Sequence, residues 1–152
     1  MILRQSLLAI ALFGGVVQTL AADDRIPADR LATIAGQLQH FGFTHVTEVE
    51  AESKQRATVE GWRAPDWHSE LTWSVATGQG LEEELEYGIT TPWGVTPADI
   101  PPLVAWMTGN DRLAHLESLE IEPDGEVELE GENAAGESVT WRARLEAFPE
   151  RP

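Results

Sequence analysis

The chain lacks cysteine and has few basic side chains. Its 152 residues include 10 Lys and Arg against 26 Asp and Glu, which gives a formal net charge of −16. The absence of cysteine excludes a disulfide framework, a thiolate zinc site and a cysteine nucleophile. A surface this negative repels phosphate backbones, so we exclude a nucleic-acid partner.

The motifs of several enzyme classes are also missing from the sequence. There is no serine nucleophile elbow, no phosphate-binding glycine loop and no His-Glu-x-x-His metal motif. Carboxylates are so abundant that no acid–base pair stands out from the others. We therefore expect a protein that is not an enzyme and that carries no metal or other cofactor.

The N-terminal segment 1–21 has the pattern of a secretory signal peptide. Arg4 gives a positive start, an uncharged apolar run extends from Leu7 to Val17, and small residues occur at Thr19 and Ala21. The run is about half of the roughly 20 apolar residues that a spanning helix needs. We therefore expect export to the periplasm and no membrane span in residues 22–152, with an uncleaved N-terminal anchor as the alternative.

The rest of the chain contains an internal repeat whose two copies keep a constant offset. Residues 26–62 align without a gap with residues 96–132, and nine of these 37 positions are identical. The identities include Pro27-Ala28-Asp29 with Pro97-Ala98-Asp99, and Glu60-Gly61 with Glu130-Gly131. Self-similarity of this kind indicates a duplicated structural unit.

Each copy has the periodicity of one helix followed by strands that alternate apolar and polar residues. Between Leu81 and Tyr87 the pattern favours a fourth strand in copy one, with a short helix as the alternative. We predict an α+β chain made of two tandem copies of a helix followed by a three- or four-stranded antiparallel sheet. The expected boundaries are 1–21 signal peptide, 22–87 first repeat, 88–95 linker, 96–148 second repeat and 149–152 C-terminal tail.

Each copy resembles a PepSY domain, and the likeness covers most of residues 22–152. The segments that carry it are Ile26 to Leu31, Phe41-Gly42-Phe43, Val46 to Glu50, Val59-Glu60, Leu71-Thr72-Trp73, Thr77-Gly78, Glu120-Ile121-Glu122, Glu128 to Gly131 and Gly136. Pro101-Pro102 and the loop from Arg63 to Ser69 depart from the family pattern. The resemblance implies a secreted or periplasmic, non-catalytic binding module that restrains a peptidase or acts in sensing. Similar duplications occur in proteins that inhibit β-lactamases.

Two surfaces are candidates for binding a protein partner. The first is the loop edge formed by Trp62, Arg63, Asp66, Trp67 and His68, because aromatic residues beside arginine are typical of interface hot spots. The second is an acidic face, because nine acidic and no basic residues lie between positions 117 and 137. Strand alternation places five of them together: Glu120, Glu122, Glu126, Glu128 and Glu130.

The acidic face leaves an alternative function open. It is either a surface for a basic partner or divalent cations, or a solvated face of a salt-adapted periplasmic protein. His45 and His115 occupy equivalent repeat positions, which a shared metal or proton site or an inherited structural role would both explain. We assign no metal ligand to them.

Overall fold

The structure is a computed structural model that describes residues 24–63, 66–88 and 90–149. The predicted signal peptide lies outside the described residues. Neither helix in the described part of the chain has the length and apolar run that crossing a bilayer requires.

The two helices follow from the apolar spacing noted in the sequence. α1 spans Leu31–Phe41 and ends at Gly42, whose φ of 89° is the left-handed conformation that glycine adopts at low cost. α2 spans Ile100–Thr108, and its two prolines lie in the first turn, where no intrahelical N–H partner is lost. A short 3-10 turn precedes each helix, at Ala28–Arg30 and Pro97–Asp99.

Eight antiparallel strands of the described chain form one sheet. They are β1 (Ile26–Pro27), β2 (Phe43–Ser53), β3 (Arg56–Arg63), β4 (Trp67–Ser74), β5 (Gly80–Tyr87), β6 (Leu113–Ile121), β7 (Glu126–Asn133) and β8 (Ser138–Arg144). The order across the sheet is β5-β4-β3-β2-β6-β7-β8, and β1 pairs with β6. The fourth strand predicted in copy one is confirmed as β5, and the alternative of a short helix there is wrong.

The prediction of two tandem units, each with a sheet of its own, is wrong. β2 from the first half pairs directly with β6 from the second half, with Val49 opposite Leu119. The segments ahead of the helices also cross over, because Ile26 pairs with Leu116 on β6 and Val95 bridges to Val46 on β2. The described chain is therefore one continuous antiparallel sheet with two short helices. A unit as small as one half buries little apolar surface alone, which explains why the halves share a sheet.

The two long hairpins have the same irregularities at equivalent positions of the repeat. The β2–β3 register shifts between Phe43 and His45, and the β6–β7 register shifts between Leu113 and His115. At each place a glycine lies against a backbone carbonyl. A Cβ added to Gly61 would lie 2.3 Å from the His45 carbonyl oxygen, and one on Gly131 would lie 2.3 Å from that of His115.

The helices cover one face of the sheet and build the core there. Trp73 on β4 is fully buried, and its indole Nε1 donates to Gln37 Oε1 on α1 at 2.8 Å. The Gln37 side chain in turn donates to the Val75 carbonyl at 2.9 Å, which ties α1 to the end of β4. The buried apolar strand residues on this face include Val49, Ala57, Val59, Leu71, Leu119, Ile121, Val127 and Leu129. The opposite face has no helix over it in the described chain.

Candidate functional site: the open face of the sheet

Six glutamates from six adjacent strands form a row across the open face. From β5 to β7 each is the cross-strand partner of the next, in the order Glu84, Glu70, Glu60, Glu48, Glu120 and Glu128. Directly opposed residues of an antiparallel sheet project from the same face. Since neighbouring strands lie roughly 4.8 Å apart, the row is about 24 Å long. We call these six residues the glutamate row.

Strand alternation in both halves produces the glutamate row. Val49 and Val59 on the helix side are buried, whereas their neighbours Glu48 and Glu60 lie on the open face. The pairing of β2 with β6 then joins the glutamates of the two halves, because Glu48 is opposite Glu120. The row is therefore a consequence of the single sheet, and neither half could form it alone.

The glutamate row is electrostatically unfavourable at its centre. Partial burial, together with the charges of Glu60 and Glu120, raises the pKa of Glu48 to about 7. Burial and the carboxylate of Glu122 raise the pKa of Glu120 above its usual range, and burial and Glu128 do the same for the pKa of Glu130. Like charges in directly opposed positions destabilise a sheet. The glutamate row therefore lowers the free energy of unfolding.

Positive charge balances the glutamate row at one end. On the edge strand β8, Arg142 is the cross-strand partner of Glu128, and its Nε lies 2.6 Å from Glu128 Oε2. Arg144 Nη1 lies 3.4 Å from Asp124 Oδ2. A hydrogen bond from the Glu126 amide and the charge of Arg144 together lower the pKa of Asp124. At the other edge the row ends on β5 with Glu84, whose neighbours on that face are Glu82 and Glu86.

The structure brings the five residues of the predicted acidic face together on the β6–β7 hairpin. Glu120 opposes Glu128, Ser118 opposes Glu130, and Glu122 donates its amide to the Glu126 carbonyl at 2.8 Å. The sequence prediction missed Glu48, Glu60, Glu70 and Glu84, which extend the same face over β2, β3, β4 and β5. Alternating glutamates in β2 and β5 were the signal available, whereas β3 and β4 each contain a single glutamate.

The predicted loop edge divides between the two faces of the sheet. Trp62 and His68 are opposite each other on the open face, with ring centroids 5.2 Å apart. Trp62 is only 3 % exposed, because Trp93 packs on it at 5.5 Å between ring centroids. Trp62 is therefore a buried residue, and its indole Nε1 has no hydrogen-bond partner among the described residues.

The remaining members of the loop edge lie on or near the helix side. Trp67 is 40 % exposed and packs edge-on against Tyr87 on β5, with ring centroids 5.4 Å apart. Arg63 pairs with Glu83 and donates to the Phe41 carbonyl. Asp66 has a φ of 44° at the tip of the β3–β4 hairpin, a left-handed conformation that aspartate tolerates better than most residues.

An open groove lies beside Trp67, at the C-terminal end of α1. Its volume is about 220 Å³, and it is lined by Phe41, Gly42, Arg63, Trp67 and Leu85. The exposed side chains of Tyr87 and Leu85, at 65 % and 52 %, continue this apolar surface along β5. We call this the edge groove.

The two repeat-equivalent histidines have different surroundings. His115 Nδ1 lies 3.3 Å from Glu132 Oε1, next to the buried Arg25. His45 Nδ1 lies 3.1 Å from the Thr44 hydroxyl. No group of three or more metal-ligating side chains is arranged to hold an ion within residues 24–63, 66–88 and 90–149.

Comparisons with protein-family models, with curated proteins and with solved structures find no match for this chain. The resemblance to PepSY domains therefore stays a prediction from the sequence. The function proposed for the chain depends on the geometry of the open face and of the edge groove.

Proposed function

We propose that this chain is an exported, non-catalytic binding module whose open sheet face binds a basic partner protein. The glutamate row carries the proposal, because it maintains a line of like charges that destabilises the free fold. A basic surface placed against the row would relieve that repulsion. The relief would contribute favourably to the free energy of binding. The predicted signal peptide supports the periplasm as the place of action.

The shape of the open face supports binding of a protein rather than catalysis on a small molecule. A carboxyl with a pKa near 7, like that of Glu48, is suited to acid–base work only where a cleft holds the substrate. The depression lined by Glu120, Glu122, Glu126 and Glu128 has a volume of about 80 Å³. Ligand pockets are typically roughly 300–1,000 Å³, so this face suits a broad protein contact.

Two features of the chain indicate the kind of partner. The resemblance to PepSY domains implies a peptidase or another envelope protein, and the glutamate row requires that the contacting surface be rich in Lys and Arg. One alternative is a cation-binding protein. Among the described residues, no group of three or more metal-ligating side chains supports it. The alternative of a salt-adapted protein with a solvated face predicts that no partner binds.

A pull-down from periplasmic extract tests the proposal. Glu60→Gln with Glu120→Gln removes two charges from the glutamate row, and Asp29→Asn with Glu146→Gln removes two exposed charges outside it. We expect the native chain and the Asp29/Glu146 variant to retain the same basic protein, released by added salt. We expect the Glu60/Glu120 variant to lose it.

Two results would overturn the proposal. One is equal retention of the partner by the Glu60/Glu120 variant, which would place binding elsewhere. The other is that no protein is retained at low salt while added salt steadily raises the melting temperature. That second result would identify the face as merely solvated.

A further inference from the structure

The edge strand β5 combines three features that no other strand in the described chain has together. It pairs on one side only, with β4, and all eight of its residues are exposed. Its open face carries Glu82, Glu84 and Glu86, which continue the acidic surface. Its helix-side face carries Leu85 and Tyr87, which border the edge groove.

We propose that β5 is a strand-addition site for an extended segment whose side chains alternate between basic and apolar residues. An added strand would pair its backbone with the free edge of β5, as in other cases of β-augmentation. Its basic side chains would then oppose Glu82, Glu84 and Glu86, and its apolar side chains would cover Leu85, Tyr87 and Trp67. The inference rests on the proposed function, because both require a basic partner.

The strand at the opposite edge of the sheet, β8, already has this alternation of basic and apolar side chains. β8 carries Arg142 and Arg144 on the open face, where Arg142 pairs with Glu128. Its alternate residues Val139, Trp141 and Ala143 are half-buried on the helix side. β8 therefore covers the β7 end of the glutamate row with alternating basic and apolar side chains. The β5 end also has glutamates on the open face and apolar side chains on the helix side, and no strand among the described residues covers it.

A second copy of this chain is a poor occupant of the same edge. Antiparallel pairing of two β5 strands would place the glutamates of one copy opposite those of the other. Charged side chains on an edge strand keep identical chains apart for this reason. The same charges attract a strand of opposite sign, so the edge discriminates between partners by charge.

The experiment compares three peptides of the same length as β5, binding to the full chain. The first alternates valine with lysine, the second has the same composition in two blocks, and the third alternates but carries N-methyl groups on every second amide. We expect the alternating peptide to bind about tenfold or more tightly than the other two, because they lose the side-chain pattern or the backbone hydrogen bonds. Hydrogen exchange should slow at the amides of β5.

Paired variants locate the site. Leu85→Ser with Tyr87→Ser removes exposed apolar surface from the edge groove and should weaken the alternating peptide about tenfold. Trp106→Ser on α2 also removes an exposed aromatic side chain, 36 % exposed, and should leave peptide affinity unchanged. Melting curves of both variants show whether each one is folded.

Each remaining outcome overturns the strand-addition site without deciding the proposed function. Equal binding of the block or N-methylated peptide would mean that charge alone drives binding. If none of the three peptides binds, or if two copies of the chain pair through β5, then the edge does not bind a basic strand. The proposed function is decided separately, by whether the Glu60/Glu120 variant keeps its partner in the pull-down.

Discussion

Glu48 lies at the centre of the glutamate row, with Glu60 on one side and Glu120 on the other. Its pKa of about 7 means that it is about half charged at neutral pH and largely charged only in alkaline solution. The ordinary glutamate value of 4.5 applies to the unfolded chain. Between these two values the folded form binds more protons than the unfolded form, so the free energy of unfolding falls as the pH rises.

The first prediction concerns Glu48→Gln. We expect the variant to be more stable than the native chain above pH 7, by up to about 1 kcal/mol, because it removes a partly buried charge and its two like-charge contacts. The gain should shrink as the pH is lowered from 7 to 4.5, where the native carboxyl becomes protonated. Urea unfolding at several pH values measures both effects. Asp29→Asn is the control, and an equal pH dependence in that variant would contradict the assignment to the row.

The second prediction concerns Gly61. A Cβ at this position would lie 2.3 Å from the His45 carbonyl oxygen, which belongs to the backbone and cannot rotate away. Gly61→Ala should therefore destabilise the fold by about 1–3 kcal/mol. Gly36→Ala on the exposed side of α1 meets no atom within 4 Å, and should be stabilising by about 0.5–1 kcal/mol. A shift of the melting temperature in the same direction for both variants would contradict the steric role of Gly61.

At the scale of elements, the crossing segments hold the two halves together. Arg25, which precedes β1, is 8 % exposed, and its guanidinium contacts three side chains on β6, β7 and β8. Nη1 lies 3.0 Å from Glu132, Nε lies 3.4 Å from Glu117, and Nη2 lies 3.3 Å from the Ser138 hydroxyl. One residue of the first half therefore neutralises two carboxylates of the second half.

The third prediction is that Arg25→Gln costs about 3 kcal/mol of stability, because it leaves Glu117 and Glu132 partly buried without their cation. Arg30→Gln, at an exposed position in the following 3-10 turn, should change stability by less than about 0.5 kcal/mol. Chemical denaturation of the two variants is the measurement. A small loss for Arg25→Gln, comparable with that of the control, would show that the Arg25 ion pairs do not hold the two halves together.

Local periodicity predicts the elements of this fold but not how they are joined. Alternation identifies β5 and places Glu120 and Glu128 on one face, since both depend only on neighbours in sequence. The pairing of β2 with β6 joins strands that lie far apart in the sequence, and no local signal encodes it. Electrostatic repulsion opposes that pairing, because it places Glu48 directly opposite Glu120. The buried apolar residues on the other face of the same strands outweigh that repulsion.

The candidate binding surface was predicted only in part for the same reason. The sequence prediction grouped Trp62 with Trp67 because they are close in the chain. The β3–β4 hairpin pairs Trp62 with His68 and Arg63 with Trp67, so the two tryptophans project from opposite faces. Burial of Trp62 depends on Trp93 from the linker, a tertiary contact that the loop sequence does not reveal.

At the scale of the whole molecule, one sheet carries one acidic face. The glutamate row crosses from the first half to the second at the Glu48–Glu120 pair, and the proposed function depends on that crossing. If the halves were separate units, the row would be two short clusters, and no continuous acidic face would link β5 to β7. The proposed function therefore depends most on the pairing of β2 with β6.

The absence of cysteine allows a direct measurement of that pairing. In the variant Glu48→Cys with Glu120→Cys, the two Cα atoms should lie about 4.5–5.5 Å apart, within the range that a disulfide spans. The control Glu84→Cys with Glu120→Cys places its two sites four strands apart, at roughly 19 Å. We predict that mild oxidation joins residues 48 and 120 within the monomer and leaves the control pair reduced. Thiols at 48 and 120 that stay reduced, or that join only different molecules, would contradict the single sheet.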